Sequence, residues 1–222
     1  MSRTQQVPTA PFNPVYGCVI MLAAVLMFVG IIVWSGYTYF VQDRAIGAVT
    51  VEQPVELPAD SLPLEEMDAL KTRLAEFKAA ALAGQPAELT LSLPELNALL
   101  AMAPDEGGGS YAGKLLFFKT DAAKNHLIAK SSLPLNKKFW EKGVRYLVGE
   151  ISFVIYVEQA GPDAKIVDIA VPGKTIEPGL VLDMGRWPWM GPYQKGELGE
   201  VLKRILTAQV SGDAITLRTR NP

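Results

Sequence analysis

The sequence predicts an α+β fold: a curved antiparallel sheet of about six strands with two or three packed helices, plus one N-terminal transmembrane helix. Three observations carry that expectation. No charged residue lies between Arg3 and Asp43. Apolar residues then recur at steps of three and four, and from Lys114 onward the period falls to two. Hairpin-length turns join the strands, and regular strand–helix–strand alternation is absent, which argues against a doubly wound sheet.

Residues 1–16 form a short tail and 17–42 the transmembrane anchor. Val19 to Phe40 is almost continuously apolar. At about 1.5 Å per residue this run spans roughly 33 Å, enough to cross a hydrocarbon core. Trp34, Tyr37, Tyr39 and Phe40 gather at one end and Tyr16 at the other, as aromatic belts do. Signal-peptide cores run only about 7–15 residues, so the segment is expected to stay in the mature protein. Cys18 opens the apolar run, whereas a lipidated cysteine follows one. It reads as a small buried apolar side chain. Arg3 and Arg44 nearly cancel in the positive-inside balance, and a lone N-proximal anchor ahead of a long domain favours placing that domain outside the cytoplasm.

Residues 43–63, with Pro54, Pro58 and Pro63, read as an extended linker. The domain occupies 64–222. Its first helix covers Leu64 to Ala83, with Met67, Leu70, Leu74, Phe77 and Ala81 on one stripe. Asp60 or Ser61 is expected to cap it and Gly84 to stop it. Glu88 to Leu91 is a short strand. Ser92 and Glu95 then make a capping box, with Pro94 in the first turn of a helix that runs to Met102. That helix is expected to turn Leu96, Leu99, Leu100 and Ala103 inward. Pro104 to Ser110, with three consecutive glycines, reads as a flexible loop.

Lys114 to Asp121 and Asn125 to Leu133 form a hairpin across Ala122–Lys124. Lys138 to Arg145 is expected to be short helix or bulge. Tyr146 to Gln159 is the longest strand. Ile151, Phe153, Ile155 and Val157 lie on one face and Ser152, Val154, Tyr156 and Glu158 on the other. Gly161–Asp163 reads as a turn, and Lys165 to Val171 returns with Val167, Ile169 and Val171 together. Tyr193 to Val210 is expected to be helical, striped by Leu198, Val201, Leu202, Ile205 and Leu206. Asp213 to Arg220 is the last strand.

The charge balance excludes some functions. Lys plus Arg number 21 against 23 Asp plus Glu, a net charge of −2, so no broad basic face exists for nucleic acid. A single cysteine excludes an internal disulfide, and a single histidine excludes a site of several imidazoles. Gly173-Lys174-Thr175 ends like a phosphate loop, but Asp168 stands where the first glycine belongs. Gly107, Gly109 and Ala112 fit a loose dinucleotide pattern in the wrong order, after a helix and before a strand. His126 sits in a strand among Lys124, Asn125 and Lys130 with no nucleophile at hand. No catalytic residue, metal or cofactor is therefore expected.

Two features rise above this background. Met184 to Tyr193 holds two tryptophans, Trp187 and Trp189, separated by Pro188. The long strand is apolar on both faces, which implies cover on both sides or an apolar groove. The candidate contact residues are Trp187, Trp189, Met190, Tyr193, Phe153 and Ile155. Rings lining a cavity would favour an apolar ligand such as membrane lipid. Exposed rings would favour a protein partner, and buried rings without a cavity would be plain core.

Leu89-Thr90-Leu91-Ser92 leads into Glu95-Leu96-Asn97-Ala98-Leu99-Leu100. Arg145 to Ser152 follows as a strand, and Ser211 to Leu217 closes the chain. Together with the anchor, this order resembles small single-anchor bacterial envelope proteins of the YpmS-like kind, whose domain is similar to tubular lipid-binding modules. The resemblance implies binding of lipid or another apolar ligand in a groove of the sheet, or a scaffold role docking an envelope protein, without an enzyme reaction. It also implies a bacterial inner membrane protein, single-pass, with its C-terminal domain extracytoplasmic.

Overall fold

The computed structural model describes residues 14–58, 62–102, 111–136 and 143–219. The chain divides into two compact units, Met1–Arg44 and Ala45–Pro222. The expected glycine loop at 104–110, the capping residues Asp60 and Ser61, and positions 138–141 lie outside the described residues.

The first unit is built on helix α1 (Pro14–Val49). From Val15 to Val41 its large apolar side chains are exposed all round. A helix apolar on every side suits a lipid environment. It is long and apolar enough to cross a membrane once.

Helix α1 outlasts the expected anchor by several residues, because Ile46 and Val49 are three apart and both join the core of the second unit. Thr50 ends it, its hydroxyl donating to the Ile46 carbonyl at 2.9 Å. The expected extended linker is partly held on the domain. Val51 and Tyr146 exchange backbone hydrogen bonds of 2.9 and 2.7 Å, and the Val55 N–H donates to Ser132 Oγ at 3.0 Å.

The second unit is α+β, with two antiparallel sheets. Helix α2 (Leu64–Leu82) buries Leu70, Phe77 and Ala81, as its stripe requires. Pro63 occupies the cap position and offers no side-chain bond there. Strand β1 (Glu88–Ser92) leads into α3 (Leu93–Met102) through the expected capping box, in which Ser92 N donates to Glu95 Oε2 at 2.8 Å. The deepest residues of α3 are Leu93, Asn97 and Ala98, whereas Leu96, Leu99 and Leu100 are half-buried. Ala103 lies outside the described residues.

Four strands follow: β2 (Leu115–Asp121), β3 (His126–Asn136), β4 (Val144–Glu158) and β5 (Gly161–Ala170). They pair in chain order, with Ile151, Phe153, Leu147 and Leu133 on the inner face. Two expectations change here. Gly161–Asp163 is the start of β5, not a turn, and the chain reverses at Gln159–Ala160. Ile166 is buried where Val167 was expected, because Phe153 pairs with Ile166 and Ser152 with Asp168, leaving Val167 as the extra residue of a bulge.

The C-terminal part holds α4 (Pro178–Met184), a 3-10 turn (Gly191–Tyr193), α5 (Gly196–Leu202), β6 (Ile205–Ser211) and β7 (Ala214–Thr219). The long helix expected over Tyr193–Val210 is thus a short helix and a strand. Gly196 takes a φ of 62°, which breaks any helix arriving from Tyr193. Beyond Arg204, Ile205, Thr207 and Val210 are β-branched and pair with β7 across a bulge. The sheet order β1-β7-β6 places β1 at one edge.

The core has two clusters. One lines the inner face of β2–β5 with α4. The other joins α2, α3, α5 and the three-stranded sheet. Phe117 and Ile155 pack against both and form the seam.

Candidate functional site

Pro178 opens α4, and Gly185 ends it flush against β5. A Cβ on Gly185 would lie 2.8 Å from the Ile166 carbonyl oxygen, so the chain needs glycine to turn there. The turn delivers the two tryptophans to different environments. Trp189 is 4% exposed, and its indole N–H donates to the Met184 carbonyl at 3.0 Å. Its ring meets Phe153 edge-on at 5.5 Å and 79°. Tyr111 lies 5.5 Å away on a tilt. Trp187 is 50% exposed and stacks on Trp189 at 5.8 Å and 27°. One indole is therefore core, and the other is a flat apolar surface set on it.

Asp163, at the start of β5, fastens this loop. Its Oδ1 accepts the Met190 N–H at 3.0 Å and the Ala164 N–H at 2.7 Å. The Gly191–Tyr193 turn continues from there, and Tyr193 Oη accepts the Tyr111 N–H at 3.3 Å. Met190 and Tyr193 lean on the second core cluster, and Ile155 lies on the seam. Of the six candidate residues, Phe153, Trp189 and Trp187 thus form one stack. Tyr193 joins it through Tyr111, 6.0 Å from its ring. Met190 and Ile155 sit behind it as packing.

The electrostatics hold protons in place. The Tyr111 hydroxyl is pushed up to about 12, first by burial and then by the charges of Tyr193 and Asp163. Tyr156 is also raised, by burial and then by Asp163 and Glu158. Both phenols stay neutral at physiological pH and serve as packing and hydrogen-bonding groups.

Tyr111 and Asp163 belong to the arrangement and escaped sequence reasoning. Tyr111 follows a glycine run with no periodicity to mark it, and Asp163 reads as a turn residue. The outer face of β4 leaves Val148, Val154 and Tyr156 half-buried. His126 is half-buried in β3 and pairs across the ladder with Asp121 and Val154. Among the described residues, no three His, Cys, Asp or Glu side chains cluster as metal ligands would. No known protein family, curated protein or solved structure matches the chain.

Proposed function

We propose that this is a non-enzymatic, single-anchor protein of a bacterial inner membrane whose domain lies outside the cytoplasm and docks a protein of the envelope through Trp187. The observation that carries the reading is the half-exposed Trp187 ring stacked on the buried Trp189. An aromatic ring already held in place loses little freedom on binding, and tryptophan is the residue most enriched at binding hot spots. Asp163 and the Gly185 turn fasten both ends of the loop that carries that ring to β5.

The test places a photo-crosslinking amino acid at position 187 in living cells, with position 198 as control. Leu198 is equally exposed, at 50%, on α5. One discrete protein adduct at 187 and none at 198 is expected. No adduct at 187, or the same adducts at both positions, would sink the reading. A second reading, lipid or another apolar ligand held along the sheet, draws support from the half-buried apolar outer face of β4 and from the resemblance to lipid-binding envelope modules. Crosslinking at 187 to phospholipid in place of protein would favour it.

A further inference from the structure

Among the described residues one edge of strand β1 pairs with no other strand, and the structure shows which backbone groups point from it. The Ala87 carbonyl accepts the Thr219 N–H at 3.0 Å, so residues 87, 89 and 91 direct their backbone groups toward β7. Glu88, Thr90 and Ser92 therefore direct theirs to the open side. Two of these outward groups are plugged by side chains. Arg73 donates from Nη1 to the Thr90 carbonyl at 3.2 Å and pairs with Glu95, and Glu95 Oε2 accepts the Ser92 N–H. Among the described residues the N–H and C=O of Glu88 and the N–H of Thr90 make no hydrogen bond, and they stand in the donor–acceptor order of an extended strand.

These groups open onto a groove of about 440 Å³ between β1 and α2. Phe77, Ala80 and Leu89 supply its apolar lining, and Arg73, Glu76 and Glu88 its charges. Arg73 is paired with Glu95, and Glu88 with Arg218 at 2.8 Å. Glu76 makes no ion pair among the described residues, so the groove keeps one uncompensated negative charge. The other sheet handles its edge differently. The Asn97 side-chain amide bonds both N–H and C=O of Phe117 on β2, at 2.8 Å each. That edge is capped at Phe117, as the β1 edge is at Thr90 and Ser92, and Glu88 lies beyond the β1 caps.

We propose that this groove takes an extended, basic peptide segment of a partner as an added strand on β1. Backbone bonds to Glu88 and Thr90 supply the pairing, and a Lys or Arg of the peptide faces Glu76. The site is separate from Trp187 and does not depend on it.

The full chain in neutral phosphatidylcholine nanodiscs, with a fluorescent seven-residue peptide alternating valine and lysine as probe, tests this. Saturable binding is expected. In hydrogen exchange, the Glu88 and Thr90 amides should exchange fast in the free protein and become protected with peptide. The Leu89 and Leu91 amides should be slow in both states. Thr90→Pro removes an outward N–H and leaves the backbone bonds to β7, and it should weaken binding roughly tenfold; Thr90→Val, which loses only the side-chain bond to Thr216, should bind as before. Glu76→Arg, on the exposed face of α2, should weaken the lysine peptide and favour a glutamate version, and it decides the matter if Thr90→Pro fails to fold. Unchanged binding in folded Thr90→Pro and Glu76→Arg, no protection at Thr90, or equal binding of lysine and glutamate peptides would overturn the proposal. Concentration-dependent dimerisation abolished by Thr90→Pro would overturn it in favour of a second copy.

Discussion

At the scale of single residues, two asparagines do work that strands usually do. Asn97 is 6% exposed and bonds both backbone groups of Phe117, beside the bulge at Phe118. Asn125 takes a φ of 58°, which asparagine tolerates better than most residues. Its Oδ1 accepts the Val210 N–H at 2.7 Å and its Nδ2 donates to the Ile155 carbonyl at 2.6 Å, tying β6 to β4. Asn97→Ala strands two part-buried backbone groups and should cost about 1–3 kcal/mol, read from the urea midpoint. A loss below about 0.5 kcal/mol would mean that water or a neighbour replaces the amide. An apolar stripe is legible in α3, yet it points to leucines and passes over Asn97, because periodicity weighs hydrophobicity and a buried amide has none. The tryptophan pair shows the same limit. Both residues read alike in the sequence, and only the turn at Gly185 decides that one is core and the other surface.

At the scale of elements, legibility follows the strength of the repeat. Helix α2 and strand β4 fall close to their expected bounds, because each carries a long, unbroken period that a fold can use directly. The region after Tyr193 misleads because its apolar residues fit a helical stripe by spacing alone. Leu198 and Leu206, two members of that stripe, are exposed, and the strand in β6 is hidden by a bulge that shifts its alternation. The β4–β5 pair offers a direct test of how tightly such irregular strands pack. A Cβ on Gly149 would come within 2.4 Å of the Ala170 carbonyl oxygen, a backbone atom with little room to yield. Gly149→Ala should therefore lower stability by about 1–3 kcal/mol through overpacking, seen as a reduced Tm with unchanged helix content. An unchanged Tm would show that β5 moves aside freely.

At the scale of the whole molecule, the long apolar helix is the most legible part, since a charge-free run needs no tertiary context to be recognised. The division of the strands into two sheets was not legible, because it depends on pairings between distant segments. Leu26→Arg should reduce membrane insertion, since a central charge costs roughly 2.5–3.5 kcal/mol on insertion scales. A phosphatase reporter fused after Pro222 should be active, and a fluorescent protein that matures only in the cytoplasm should stay dark. The reverse pattern would return the domain to the cytoplasm. The pairing of β1 with β7 also bears on how the protein is made. Thr90 and Thr216 share a hydrogen bond at 3.1 Å, yet they stand 126 positions apart. A ribosome working at about 5–20 residues per second needs roughly 6–25 seconds to travel that distance. Throughout that interval β1 exists without its neighbour, so the nascent chain passes through a window in which a chaperone, or another strand, can claim it first.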